Sequence, residues 1–312
     1  MSKYILTRCL WMVVTLLGTA FIIFTMLYFT PGDPARMFAS STASEADVQV
    51  LRHQMGLDRP YLVQLGDFLY KAFFKLDFGT SYIYKVPVFQ EMMNRLPRTM
   101  IIGLFAMVLN LAFGLSLGIF AGTHEGKWQD SATMAVAIVF ISAPDFWVAL
   151  MMIVLFAAEL RWLPAYGIGG PQYYIMPIIC ASLGGIAVNA RQTRSSILEV
   201  FREDFVTTAR AKGQAENVVV RRHMLPNALM PIITGIGIGF SRIVAGSAII
   251  ENVFSIPGVG LYMLNALNTR DYPVIRGTVV FFAAYTAVVM LLVDLIYSVV
   301  DPRIKSRYSG KR

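Results

Sequence analysis

The sequence predicts an all-α polytopic membrane protein with six transmembrane helices, a small helical extracytoplasmic cap and a short helix on the cytoplasmic face. Three observations predict it. Of 312 residues, 56% are hydrophobic and only 15% charged, with a mean hydropathy of +0.59, a composition that leaves too little polar surface for a soluble chain of this length. The apolar residues gather into runs of about 18 or more, the length that crosses a bilayer as a helix. Lys and Arg concentrate beside alternate ends of those runs, as the positive-inside rule requires.

By length the spans fall at 9–29, 99–121, 133–158, 173–190, 228–250 and 277–300. Lipid offers backbone groups no partner, so spans must be helices or a closed barrel. The first run ends in Thr30-Pro31-Gly32-Asp33-Pro34 without a small-x-small cleavage pattern and reads as a retained span, residues 1–30. With the N-terminus inside, the cytoplasmic pieces hold two, one, seven and five Lys or Arg, and the short outer loops only Arg161, Arg270 and Arg276. Both termini are therefore expected in the cytoplasm, with 301–312 as a tail. The net charge of +8 follows from this orientation and does not call for nucleic acid as a partner.

The outer loop 31–98 reads as folded. Ser44 and Asp47 have the spacing of a capping box, Gly56 suits a helix end and Pro60 follows it. A second helix is expected over 61–74 and a short third over 88–95, after Pro87. The aromatic residues Tyr61, Phe68, Tyr70, Phe73, Phe74, Phe78, Tyr82 and Tyr84 could hold a ligand, but the preferred expectation is that they pack this cap and seat it at the membrane interface.

Within the 99–300 core, Gly114, Gly118 and Gly122 recur every four residues, and Gly235, Gly237 and Gly239 form a second cluster, both read as helix contacts. The fourth span contains Pro177, Gly184 and Gly185 and is expected to be broken and to line a cavity or pathway. Asp145 beside Pro144, Arg242 and Asp294 are ionisable residues at depth, which must pair or face water; an Arg242–Asp294 pair is one expectation. Cys9 and Cys180 lie in or beside apolar runs with no metal-like spacing, so neither a disulfide nor a metal site is expected.

Motifs for chemistry are lacking. Gly126-Lys127 and Gly310-Lys311 have neither the glycine nor the hydroxyl of a nucleotide-binding loop, so the chain itself binds no ATP. His124-Glu125 has no second histidine at the zinc-protease spacing. Gly114-Leu115-Ser116-Leu117-Gly118 matches a hydrolase elbow in letters only, since it lies mid-span with no strand before it and no base at hand. No enzymatic activity is expected.

The inner loop 191–226 is too long for a connector. Ile197, Leu198 and Phe201 form one face of a helix extending from the fourth span. Asp204 suits an N-cap for a second short helix over 205–212, in which Ala209 and Ala211 would let a partner approach closely. Gly213 supplies the turn, and Pro226 is expected to end the segment before the fifth span.

The small residues, Gly213, and Leu225-Pro226 at the thirteenth position resemble the Glu-Ala-Ala-x3-Gly-x9-Ile-x-Leu-Pro loop of ABC-importer permeases. Thr207, Thr208 and Ala209 stand at the Glu-Ala-Ala positions and His223 at that of Ile, so the glutamate is absent. Thr-Ala-Arg-Ala-Lys-Gly over 208–213 is similar to the dipeptide/oligopeptide/nickel branch. Agreement extends along the chain: Arg8 with Thr30-Pro31-Gly32-Asp33-Pro34, Gly56-Leu57-Asp58-Arg59-Pro60, Asp77-Phe78-Gly79-Thr80-Ser81, Arg95-Leu96-Pro97, Glu251 through Gly260, Arg270-Asp271-Tyr272-Pro273 and Asp301-Pro302-Arg303. The long outer loop resembles that of the first, B-type, permease subunit.

The resemblance implies a type I ABC importer permease fold. It implies a C-type permease partner, two ATP-binding subunits that use ATP and Mg, an extracytoplasmic solute-binding protein and surrounding lipid, in a bacterial inner membrane. Thr207, Thr208, Ala209, Arg210, Ala211, Lys212, Gly213, His223, Leu225 and Pro226 would form the ATPase-coupling loop. Asp145, Pro177, Gly184, Gly185, Arg242 and Asp294, with Pro257, Gly258 and Val259 of the apolar but broken outer segment 251–276, would line the pathway or its gate. Dipeptides or oligopeptides are the expected solutes, with nickel or another small solute as the alternative. An ATP-independent secondary transporter is the rival class; it would need coupling charges in the spans and no docking loop.

Overall fold

The computed structural model describes residues 2–40, 42–228, 239–240 and 247–300. The expected span 228–250 therefore falls mostly outside the described residues, and Gly235, Gly237, Arg242 and the side chain of Asp294 lie outside them. The described elements are helical, apart from one isolated bridge between Thr80 and Pro87.

Two compact units can be separated. The first is built from residues 2–97 with Leu261–Leu291. It contains α1 (Ser2–Phe29), α2 (Pro34–Phe38), α3 (Glu45–Gln54) and α4 (Tyr61–Phe74). The expected capping box is formed: Ser44 accepts from the Asp47 amide while Asp47 accepts from that of Ser44, and the Ser44 hydroxyl, with its amide second, holds the Asp47 carboxyl below its usual range. The turn that follows α3 passes through Gly56, whose φ of +69° is in the left-handed region that lacks a penalty only for glycine. Phe68 and Phe78 are buried, whereas Tyr70 and Phe74 stack on each other while largely exposed. The aromatic set thus divides between packing and surface.

Three of the quoted stretches meet in this unit. Asp271, 1% exposed, accepts from the Ser81 hydroxyl at 2.5 Å and the Tyr82 amide at 3.0 Å. Arg270 donates to the Pro31 carbonyl at 3.2 Å.

The second unit is the described part of Arg98–Gly260 with Leu292–Ile296. Its elements include α6 (Trp128–Ser142), α7 (Asp145–Met152) continuing as a π-helical turn over Ile153–Glu159, α8 (Gln172–Phe201), α9 (Asp204–Ala211), α10 (Glu216–Val218) with a π turn over Val219–Met224, and α11 (Ala248–Val253). Three elements have residues in both units: α5 (Val88–Thr123), α12 (Val259–Thr269) and α13 (Tyr272–Val300).

Among the described residues α1, α5, α8 and α13 are long and apolar enough to cross a membrane, and α6 with α7 forms a fifth, broken candidate bent by 98°. The expected single span over 133–158 is thereby corrected. Pro144 disfavours helical geometry at the residue before it, and Ala143 is extended with ψ 126°. The expected short helix over 88–95 is the first part of α5, which continues through Pro97. The fourth span is not broken either: α8 runs unbroken for 30 residues with Pro177 inside it. Pro177 is the sixth residue of the helix, so it removes a single bond next to amides that lack helical partners anyway.

The glycines of α5 do what their spacing predicts. A methyl group at Gly114 would come within 2.6 Å of Asn189 Cβ, one at Gly118 within 2.6 Å of the Ala190 carbonyl, and one at Gly122 within 2.8 Å of Ile197. The α5 backbone lies against α8 along this seam, and packing of this kind is what associates helices in lipid. Gly118→Ala should therefore lower the thermal stability of the purified protein, costing about 1–3 kcal/mol. Gly184→Ala meets no atom within 4 Å and should be neutral, so equal melting of the two variants would refute the seam. Ser116 donates to the Ala112 carbonyl at 2.6 Å, as a hydroxyl mid-helix does.

Candidate functional site

The segment after α8 folds as a helix, a turn and a second helix. Its seat is an apolar cluster of Ile197, Val206, Ala209, Val219, Met224 and Ala228, all buried, with Val200, Phe201, Val220 and Leu225 around it. Two of these, Val206 and Ala209, are three residues apart on α9 and define its inward face. Thr207, Thr208, Ala211 and Lys212 are exposed. Ala209 is therefore core and not a contact surface, which corrects the expectation that both alanines admit a partner. Glu203, not Asp204, is the N-cap.

Gly213 turns the chain with φ +74°, and its amide donates to the Arg210 carbonyl at 2.9 Å. No atom lies within 4 Å of where a side chain would start, so only backbone conformation demands glycine there. His223 pairs with the Gln214 side chain at 2.8 Å. Pro226 lies within the helical stretch that follows Met224, and so does not end it; a π turn over Val219–Met224 immediately precedes that stretch.

Arg210 is committed inside the loop. Its guanidinium makes two bonds to Glu216, at 3.1 and 2.7 Å, and stacks 4.1 Å from the Phe201 ring centroid. The guanidinium holds the Glu216 carboxyl below its usual range. Charge at this position thus braces the turn. Nothing in the spacing of Arg210 and Glu216 marks them as a pair, because they close across a turn and not along one helix.

The seat continues into α8, about 45 Å long. Further along, Arg194 clamps Asp130 of α6 with bonds of 2.5 and 2.7 Å, and Asp130 is 5% exposed. Towards its other end, Met176 and Cys180 join Ile102, Ala149, Ile250, Phe254 and Ile256 in a second buried cluster, and the Cys180 thiol donates to the Asp145 carbonyl at 3.5 Å. Pro177 is buried on the same helix, whereas the Asp145 side chain is exposed at the start of α7. Gly184 faces open space and Gly185 abuts Asn110 of α5.

Near this cluster the segment Ile256-Pro257-Gly258 leaves α11 and enters α12. It is held by Glu251, which is fully buried. Its Oε1 accepts from Thr99 at 2.6 Å and Ser247 at 2.8 Å, and the Thr99 hydroxyl accepts from the Val259 amide at 2.9 Å. A methyl at Gly258 would overlap the Glu251 carboxylate. Val259 and Tyr262 are buried at 0% and 1% exposure, so neither offers a side chain to an external protein. Glu251 is the functional candidate that sequence reasoning passed over; an acid directly ahead of an apolar Pro-Gly turn was its signal.

These features have counterparts in known proteins. A family model for the binding-protein-dependent transport system inner membrane component matches residues 114–306, and one for the N-terminal part of such membrane components matches residues 1–103. The glutathione transport system permease protein GsiC of Salmonella choleraesuis (strain SC-B67) is 36% identical over 305 residues, 98% of this chain and 99% of that protein. The protein of the same name from Escherichia coli (strain K12) is 35% identical over the same shares. The MetNI methionine ABC transporter in an inward-facing conformation has a similar fold, with a TM-score of 0.55 at 17% identity over 68% of this chain and 97% of that chain. The chain is a multi-pass inner-membrane protein that belongs to the binding-protein-dependent transport system inner membrane component family, the permease subunits of ABC importers.

Proposed function

We propose that this chain is the B-type permease of a peptide importer, and that α9 with the turn at Gly213 is the element through which ATP-binding subunits drive it. The observation that carries this reading is the division of α9 into a face sunk in the cluster around Ile197 and Met224 and a face, Thr207, Thr208, Ala211 and Lys212, left uncovered. A force on the uncovered face passes through the packed one into α8, and α8 ends among the residues that position Asp145 and the Ile256-Pro257-Gly258 segment. Interfaces of packed helices shift as rigid bodies between discrete arrangements, so this lever suits alternating access.

The partners are then a C-type permease, two ATP-binding subunits supplying ATP and Mg chemistry, and an extracytoplasmic binding protein, with both termini cytoplasmic. The broken segment at Pro257, Gly258 and Val259 acts as an outer gate, and Asp145, Pro177, Gly184 and Gly185 lie along the pathway side. Peptide as solute is supported by relatives named for glutathione transport, since glutathione is a modified tripeptide. The assembled transporter in proteoliposomes, supplied with its binding protein, should accumulate a labelled dipeptide or glutathione only with ATP. Uptake that persists without ATP would mean a secondary transporter, and uptake of nickel alone would overturn the peptide assignment.

A further inference from the structure

Arg276 is the fifth residue of α13. Its guanidinium carbon lies 5.4 Å from the Phe24 ring centroid and 5.1 Å from that of Phe68, so two aromatic faces fix it. Its Nε is buried with no hydrogen-bond partner, and so is the hydroxyl of Tyr272, about one turn earlier on the same helix. The described residues give Arg276 no ion pair and no hydrogen bond. Both side chains line a cavity of about 290 Å³, together with Tyr82 and Gln64. The carboxylate on that wall, Asp33, is already taken: it pairs with Arg52 at 2.5 Å and caps α2 through the Ala35 amide.

A half-buried guanidinium with a buried, unpaired Nε and no counter-charge is disfavoured, and charges at depth in membrane proteins pair or face water. Here the missing partner is an anion, and the two unmatched donors, a guanidinium and a hydroxyl, suit an oxyanion. The wall also includes Leu27 and Tyr28 of α1, and α1 leaves Tyr28 and Phe29 exposed at 44% and 73%, a surface along which an acyl chain can lie. We propose that this cavity binds a phosphate group, with Arg276 as its counter-charge and the Tyr272 hydroxyl as a second donor. The phosphate is that of an anionic phospholipid or free inorganic phosphate, and the two sources separate by experiment.

The test uses the full transporter in nanodiscs, wild type against Arg276→Gln. In discs containing phosphatidylglycerol, native mass spectrometry should find the lipid retained on the wild type and about ten-fold less on the variant; that result names the lipid. In discs of phosphatidylcholine alone, inorganic phosphate should raise the melting temperature of the wild type and not of the variant if the free ion is the ligand. Wild type and variant behaving alike in both arms overturns the proposal and leaves a water-filled cavity. Should Arg276→Gln fail to assemble, Arg276→Met and Tyr272→Phe carry the same two readouts, with retention and phosphate response expected to fall in both, and unchanged retention and unchanged phosphate response in both overturn it equally.

Discussion

Replacing Gly213 with leucine is expected to leave the chain inserted in the membrane and to reduce binding-protein-stimulated ATP hydrolysis of the assembled transporter about 5- to 30-fold. The magnitude follows from backbone conformation. At φ +74° a side chain with a Cβ costs about 1–2 kcal/mol, which is a factor of about 5–30 in the population of the native turn. No atom lies within 4 Å of the new Cβ, so the effect is expected to arise in the turn that aims α9. Asparagine, which tolerates the left-handed region better, should fall between glycine and leucine. Normal stimulation in Gly213→Leu would show that the turn does not transmit force.

The second large effect is expected at Glu251. Glu251→Ala removes the acceptor that the Thr99 and Ser247 hydroxyls share, and a buried donor left unsatisfied costs about 1–3 kcal/mol. It also frees the Val259 amide bond to Thr99 from its anchor, so the Ile256-Pro257-Gly258 segment loses its hold on α5. Thermal unfolding should shift down strongly and transport should fail. Glu251→Gln keeps the same Oε1 acceptor and should retain most of the stability. Equal behaviour of the two variants would mean that charge, and not the hydrogen-bond geometry, is what matters there.

Much of this fold is legible in the sequence because local chemistry dictates it. The Ser44 capping box, the helix over Tyr61–Phe74, the left-handed turns at Gly56 and Gly213 and the α5 glycine seam each follow from residues within a few positions. Proline was the less dependable signal. Pro97, Pro177 and Pro226 sit inside helical stretches, while Pro144 breaks a span that apolar length alone makes continuous. What decides between these outcomes is the ring's place in its helix and the backbone geometry of the residues before it, which hydropathy does not encode.

The candidate site was legible in outline and not in detail. Spacing locates α9 and its turn, yet it cannot say which alanine points inward, and Ala209 is buried while Ala211 is not. The clamp of Arg194 on Asp130, the brace of Arg210 on Glu216 and the burial of Glu251 all depend on contacts between segments apart in sequence. In composition each is only one more charge. Arg276 illustrates the same limit: as a flanking cation it reads as an orientation signal, whereas in the fold it faces a cavity without a protein counter-charge.

In the proposed mechanism, the uncovered face of α9 is the surface that ATP-binding subunits grip. Photo-crosslinking probes placed singly at Thr208, at Ala211 and, as a control, at Leu62, which is 75% exposed on α4, test this directly in the assembled transporter. Adducts with an ATP-binding subunit at Thr208 and Ala211, and none at Leu62, are the predicted result. Absence of adducts at both α9 positions, or equal capture at Leu62, would contradict it.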